Sequence, residues 1–314
     1  MTSPPDLAFE VPAPAPGTPP PTLAALLRER LPERSWSDVR ALCARGKVTV
    51  AGAVVLDPAA RPPLGQRIEL RTTARIARAP MPAGFQIVFE DAHLVVIEKP
   101  EGISSVPYER KESGTALDLI REAWRRKGAK ATATPLYTVH RIDKDTSGLL
   151  CFAKTKLGER GLHRVFKEHL AERTYLACAE GAVRAGRMES ELVENRGDGI
   201  RGSTRHVGQG RRAVTHVEVL ESFPAATLCR VRLETGRTHQ IRIHLAESGH
   251  PLVGETVYVR DLRRSGREPM PAPRLMLHAA TLGFEHPVTG KALAFACETP
   301  PEFLAVIDRL RSAR

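Results

Sequence analysis

The 314-residue chain predicts an α+β protein, and three observations carry that expectation. Hydrophobic residues make up 42%, enough at this length to bury a sizeable core. Short apolar runs of strand length are interspersed with runs of helical spacing, and no internal repeat organises them. A stretch of weak periodicity at 72–84 separates a small N-terminal module from a larger second part. Aromatic residues are only 5%, so Leu, Val, Ile and Ala must do most of the packing.

Lys and Arg number 47 against 36 Asp and Glu, a net charge of +11. An excess of that size attracts polyanions, RNA or DNA foremost, although charge alone fits a basic enzyme of another kind equally well. The five cysteines (Cys43, Cys151, Cys178, Cys229, Cys297) are scattered and form no CxxC pair. That pattern fits neither a disulfide framework nor a structural zinc site, and points to reduced thiols. No segment has the length and apolarity of a membrane span, and no basic region followed by an apolar stretch opens the chain. The expected location is the cytoplasm.

Residues 1–21 contain VPAPAPGTPPP and read as a disordered Pro-rich tail. Residues 22–71 read as a small α/β module. Leu23, Leu26, Leu27 and Leu31 fall at helical spacing, and Ser37 can cap a second helix carrying Val39 and Leu42 that Gly46 ends. Val48 and Val50 alternate as a strand, Ala51-Gly52 turns, and Val54 and Leu56 return. Arg40, Arg45 and Lys47 are candidate phosphate contacts on this module. Residues 72–84 read as a linker and 85–314 as the main domain. There, 87–102 predicts two strands around Glu90-Asp91, and 149–153 predicts another. Leu162, Val165, Phe166 and Leu170 predict a helix over 160–171, and further strands are expected at 174–179, 213–220 and 226–234. The Gly- and Arg-rich runs 197–212 and 259–274 read as long mobile loops with arginines that could meet phosphates.

Three segments carry the candidate chemistry. In VHRIDKDTSGLLCFAK (139–154) a charged turn feeds an apolar strand, a common way to present a carboxylate and an equally common way to make a solvated turn. In LETGRTHQIRIHLAESGHPLVGE (233–255), Thr238 is placed to cap a helix with Ile241 and Leu245 buried, which Gly249 ends. His239 and Arg242 share a face of that helix, whereas His239 and His244 are five apart and no HExxH occurs, which argues against zinc. ERTYLACAEG (172–181) is a strand bearing Tyr175.

HRIDKDTSG (140–148) resembles the signature of the RluA-type RNA pseudouridine synthases, with Ile142 in place of Leu. The resemblance implies that Asp143 is the catalytic aspartate and that Arg141 helps displace the target base. It leaves His140 as a structural or base-neighbourhood residue. The 233–255 block matches the family's later motif and implies that Arg242 pairs with Asp143, an arrangement that favours the ionised carboxylate where burial disfavours it. Arg237 is its rival and could hold a phosphate instead. Gly254-Glu255 stands for the usual Gly-Asp. In the Tyr strand, Arg173 replaces the more usual Lys, and Tyr175 becomes the active-site tyrosine that stacks on an extruded uracil. KPEG (99–102) and 274–293 fit the family's flanking blocks. The N-terminal helices and hairpin resemble an S4 RNA-binding module, with departures at Thr22-Leu23-Ala24, Ser35-Trp36 and Val50-Ala51-Gly52. Implied together are a mixed, largely antiparallel catalytic sheet, a small S4-like domain, and isomerisation of uridine in RNA without cofactor or metal. Ribosomal RNA is favoured over transfer RNA, acted on by a monomer. The rival is a non-catalytic RNA-binding or assembly protein on the same fold.

Overall fold

The computed structural model describes residues 5–14, 17–73, 80–108, 112–127, 134–204, 206 and 208–313. The chain divides into two compact units, Met1–Pro80 and Met81–Arg314. That boundary falls inside the expected linker, of which residues 74–79 lie outside the described residues.

The first unit holds strand β1 (Leu7–Glu10), helices α1 (Leu23–Arg30) and α2 (Trp36–Ala44), and strands β2 (Val48–Val50), β3 (Ala53–Val54) and β4 (Arg67–Leu70). The strands form an antiparallel sheet in the order β1-β4-β2-β3. Leu23, Leu26, Leu27, Val39, Cys43 and Ile68 make its core. Thr22 Oγ1 caps α1 by accepting from Ala25 N at 3.2 Å. Two expectations change here. Helix α2 is capped by Ser35 and not by Ser37: Ser35 Oγ accepts from Asp38 N at 3.1 Å, while Asp38 Oδ2 accepts from Ser35 N at 3.2 Å. That reciprocal box satisfies two orphan amides, and Ser37 lacks an acidic partner three residues on. The Pro-rich segment expected to be a tail contributes β1, paired residue for residue with β4 from Leu7↔Leu70 to Glu10↔Arg67. Ala51 and Gly52 both adopt positive φ (48° and 82°), the pattern of a two-residue hairpin turn whose twist suits antiparallel strands.

The second unit runs β5 (Gln86–Glu90), β6 (Leu94–Lys99), α3 (Ala116–Arg126), β7 (Tyr137–Thr138), β8 (Ser147–Ala153), α4 (Lys156–Lys167), β9 (Glu172–Glu180), β10 (Gly186–Val193), β11 (Gly202–Thr204), β12 (Arg211–Ser222), β13 (Ala226–Leu233), α5 (Gln240–Glu247), α6 (Arg260–Arg264), β14 (Leu277–Glu285), β15 (Ala292–Ala296) and α7 (Pro301–Ser312). One 11-stranded sheet follows the order β11-β10-β12-β13-β9-β14-β8-β6-β5, with β15 on β14 and β7 on β8. Every pairing is antiparallel except β14 with β8, so the α+β class with a mixed, largely antiparallel sheet is what the chain adopts. All seven residues of β8 are buried, which explains its unbroken apolar run. Helix α4 starts earlier than its apolar spacing suggests, because Thr155 Oγ1 caps it through Gly158 N at 3.1 Å. The two runs expected as loops are partly ordered: β11 and the start of β12 lie within 197–212, and α6 lies within 259–274.

Gly148 marks where β8 crosses β14. Its φ is +113°, and a Cβ there would run into the Ala279 carbonyl. Only glycine joins the charged turn 143–146 to this strand at that approach.

Candidate active site

The turn Asp143–Thr146 closes with Thr146 N donating to Asp143 O at 3.1 Å. Three contacts from outside fix it. Ser105 Oγ donates to Ile142 O (2.7 Å) and accepts from Ile142 N (3.2 Å). Lys99, fully buried at the end of β6, donates its three ammonium hydrogens to Pro100 O (2.7 Å), Ile103 O (2.7 Å) and Lys144 O (3.1 Å). Burial pulls the Lys99 ammonium down to about 7, while Asp143 and Asp145 pull it the other way. At the far end of the turn, Ser147 Oγ accepts from Arg274 Nη2 (2.7 Å) and meets His278 Nδ1 (2.8 Å). The turn that presents Asp143 is therefore anchored on both sides.

Asp143 faces a cavity of about 1090 Å³, slightly larger than the pockets that usually hold small ligands. Arg141, His140, Tyr175, Arg237 and Asp143 all line it. Six Arg and Lys side chains border the cavity against two acidic ones, Asp143 and Glu194. Arg141 Nη2 donates to Thr238 Oγ1 at 3.1 Å and its side chain is otherwise exposed. Tyr175 is 8% exposed, and burial pushes its phenol up, so at neutral pH it is a hydrogen-bonding hydroxyl and a flat apolar face. Arg237 Nε donates to Arg212 O at 3.0 Å.

His140 is committed to structure: Nε2 accepts from Cys151 N at 2.9 Å, and the ring stacks on Phe166 at 4.1 Å. Burial, reinforced by Arg173, pushes its pKa down to about 3, so the ring is neutral.

Arg242 departs from expectation. Its Nε and Nη2 bind Glu255 Oε2 (2.8 Å) and Oε1 (2.6 Å) as a buried two-bond pair, and it does not line the cavity. The nearest aspartate oxygen to it is Asp145 Oδ2 at 4.0 Å, and Asp143 feels it only through space. Glu255 wins because its Oε1 also accepts from Thr256 N (3.0 Å) and Val257 N (2.9 Å), a preorganised anion site.

His239 stands nearer to Asp143. The helix begins one residue later than Thr238 suggests, with His239 as N-cap in the left-handed region (φ 58°). His239 Nδ1 meets Tyr258 Oη at 2.8 Å, and Nε2 lies 3.9 Å from Asp143 Oδ1. Burial lowers the His239 pKa, and Asp143 opposes that shift. The turn before α5 is built on Gln240, whose Oε1 accepts from Thr235 Oγ1 (2.8 Å) and Arg237 N (3.0 Å), while Nε2 donates to Val214 O (3.0 Å) and Thr215 Oγ1 (2.9 Å). His239, Glu255 and Lys99 were not legible as site residues. The signals in the sequence were the helix face that His239 shares with Arg242, Glu255 in place of the usual Asp, and for Lys99 its membership in the 99–102 block. In the first unit, Arg40 is exposed with its guanidinium 5.9 Å from the Trp36 ring, Arg45 ends α2, and Lys47 leads into β2. Among the described residues, no three His, Cys, Asp or Glu side chains gather as metal ligands do, and no helix is long and apolar enough to cross a membrane.

Similarity to known proteins gives the class. The family described as RNA pseudouridylate synthase matches residues 93–247, a span that holds the Asp143 turn, Tyr175 and α5. The chain belongs to this family, isomerases that convert uridine in RNA to pseudouridine. Among individual relatives, the ribosomal large subunit pseudouridine synthase D of Zymomonas mobilis is 37% identical over 236 residues, 74% of each chain. The protein of the same description from Pseudomonas aeruginosa is 34% identical over 93% of this chain and 92% of its own. The solved structure of human RNA pseudouridylate synthase domain containing 4 superposes with a TM-score of 0.55 at 25% identity, covering 72% of this chain and 92% of that one.

Proposed function

We propose that the chain isomerises one or more uridines of large-subunit ribosomal RNA, with Asp143 as the reacting carboxylate. The bond from C1′ to N1 breaks, C5 bonds to C1′, the C5 proton leaves and N1 gains one, so no atom is imported. One observation carries the reading: Asp143, Arg141 and Tyr175 border a single, predominantly basic cavity large enough for an extruded nucleotide. In this reading Arg141 helps displace the base and Tyr175 stacks on it. Arg242 acts at one remove, as the cation that holds Glu255 and the helix bearing His239, and Arg237 serves the RNA backbone. The target follows from the relatives, which are described as acting on the ribosomal large subunit. The first unit adds RNA contact as an S4-like module through Arg40, Arg45 and Lys47. The enzyme works as a cytoplasmic monomer.

Chemical pseudouridine mapping of ribosomal RNA from cells lacking the gene tests the target: at least one uridine loses its modification. Purified Asp143→Asn enzyme tests the carboxylate, with turnover on that RNA expected to disappear. Normal isomerisation by Asp143→Asn would sink the assignment of Asp143.

A further inference from the structure

A buried guanidinium is costly unless its N–H groups meet acceptors. Arg173, on β9 two residues before Tyr175, is 8% exposed and borders the same cavity as Asp143. Among the described residues, no hydrogen-bond acceptor meets its buried Nε and Nη2. Its described neighbours offer it no anion. Its carbon lies 5.9 Å from the Phe166 ring centroid, and Gly236 stands so near that a Cβ there would collide with Nη1. Nε and Nη2 are the same two nitrogens with which Arg242 grips Glu255, the side-on fork that matches two oxygens of a carboxylate or phosphate. Lys167, Arg211 and Arg237 border the cavity with it.

We propose that Arg173 is the receptor for one phosphodiester of the RNA, a buried anion subsite beside the uridine that isomerises. A phosphate suits the fork better than a uracil carbonyl does. It brings a full negative charge into a basic cavity and offers two oxygens to two parallel N–H groups. Both nitrogens are shielded from water, so the anion reaches them as the guanidinium turns or the Gly236 segment yields. The proposal rests on the reading that the uridine sits at Asp143, but its test reads binding and not turnover.

The probe is a short single-stranded RNA carrying the mapped uridine, and a series of the same RNA with one methylphosphonate, a neutral linkage, at each position in turn. With the wild-type protein, one linkage close to the uridine weakens binding more than the rest. With Arg173→Met that difference vanishes, affinity falls about tenfold or more, and the slope of log affinity against log salt shrinks by roughly 0.7. Arg173→Lys keeps the charge without the fork and falls between the two. Uniform sensitivity to every linkage in the wild type overturns the proposal, even if neither variant folds. So does an unchanged salt slope in Arg173→Met. Failure of the Asp143 reading shows separately, as turnover retained by Asp143→Asn.

Discussion

Helix α5 and strand β9 each bury an arginine in the second unit, and the fold treats the two in opposite ways. Arg242, 3% exposed, has its Nε and Nη2 matched by the two oxygens of Glu255. Arg173, 8% exposed, leaves the same two nitrogens unmatched. Dehydrating either cation carries a similar penalty. The first penalty is offset inside the chain, by Glu255. The second is not, and the strand carrying Arg173 and Tyr175 keeps that imbalance where the cavity opens. Burial alone therefore does not tell a structural arginine from a ligand-binding one; the accounting of its hydrogen bonds does.

The contrast can be broken most forcefully at Glu255. Glu255→Ala leaves the Arg242 guanidinium uncompensated and should cost about 3–5 kcal/mol in urea unfolding, because removing one partner of a buried pair strands the other. Adding Arg242→Met to that variant should restore much of the loss, and a double variant no more stable than Glu255→Ala would show that the stranded Arg242 guanidinium is not the source of the loss. Next in size is Arg173→Met, which should leave the unfolding free energy unchanged within about 1 kcal/mol or raise it, since it removes an uncompensated charge. A drop like that of Glu255→Ala would place Arg173 among the structural arginines. Gly236→Ala should act more weakly, by about 1 kcal/mol, pushing on Nη1 and lowering RNA affinity more than stability. The smallest effect at neutral pH is one of titration. Burial holds the folded pKa of His140 near 3, well below its unfolded value of about 6.5. Its contribution is full above pH 6.5 and is lost as pH falls toward 3, because the unfolded chain takes up the proton first. Thermal melts between pH 7 and 4 should show that acid limb, flattened in His140→Gln. Since Arg173 also depresses His140, Arg173→Met should flatten it in part.

Local chemistry was legible in the sequence, and competition between distant groups was not. HRIDKDTSG marked the carboxylate turn, and its glycine is explained by one backbone approach to Ala279. A helix between Thr238 and Gly249 follows from its apolar spacing, and it forms over Gln240–Glu247 with His239 as its cap. The partner of Arg242 did not follow, because spacing fixes only the face of a helix. Which carboxylate reaches that face depends on how backbone amides hold Glu255 thirteen residues on. Strand β1 was missed for a similar reason. Four residues in a Pro-rich stretch carry no periodicity worth reading, and their partner in β4 lies some 60 residues away. Ser35 displaces Ser37 through Asp38, and the S-x-x-D spacing that favours it stands in the sequence.

Strand β1 also bears on how the protein can be handled. It covers the outer edge of β4, with Val11 buried just beyond it. Trimming the chain to residue 22, where the helical spacing begins, would strip that cover and expose the amides and carbonyls of Arg67–Leu70 as a bare template. A second trimmed molecule can pair there, so the shortened protein should self-associate more than the full chain does, as size-exclusion chromatography of the two would show.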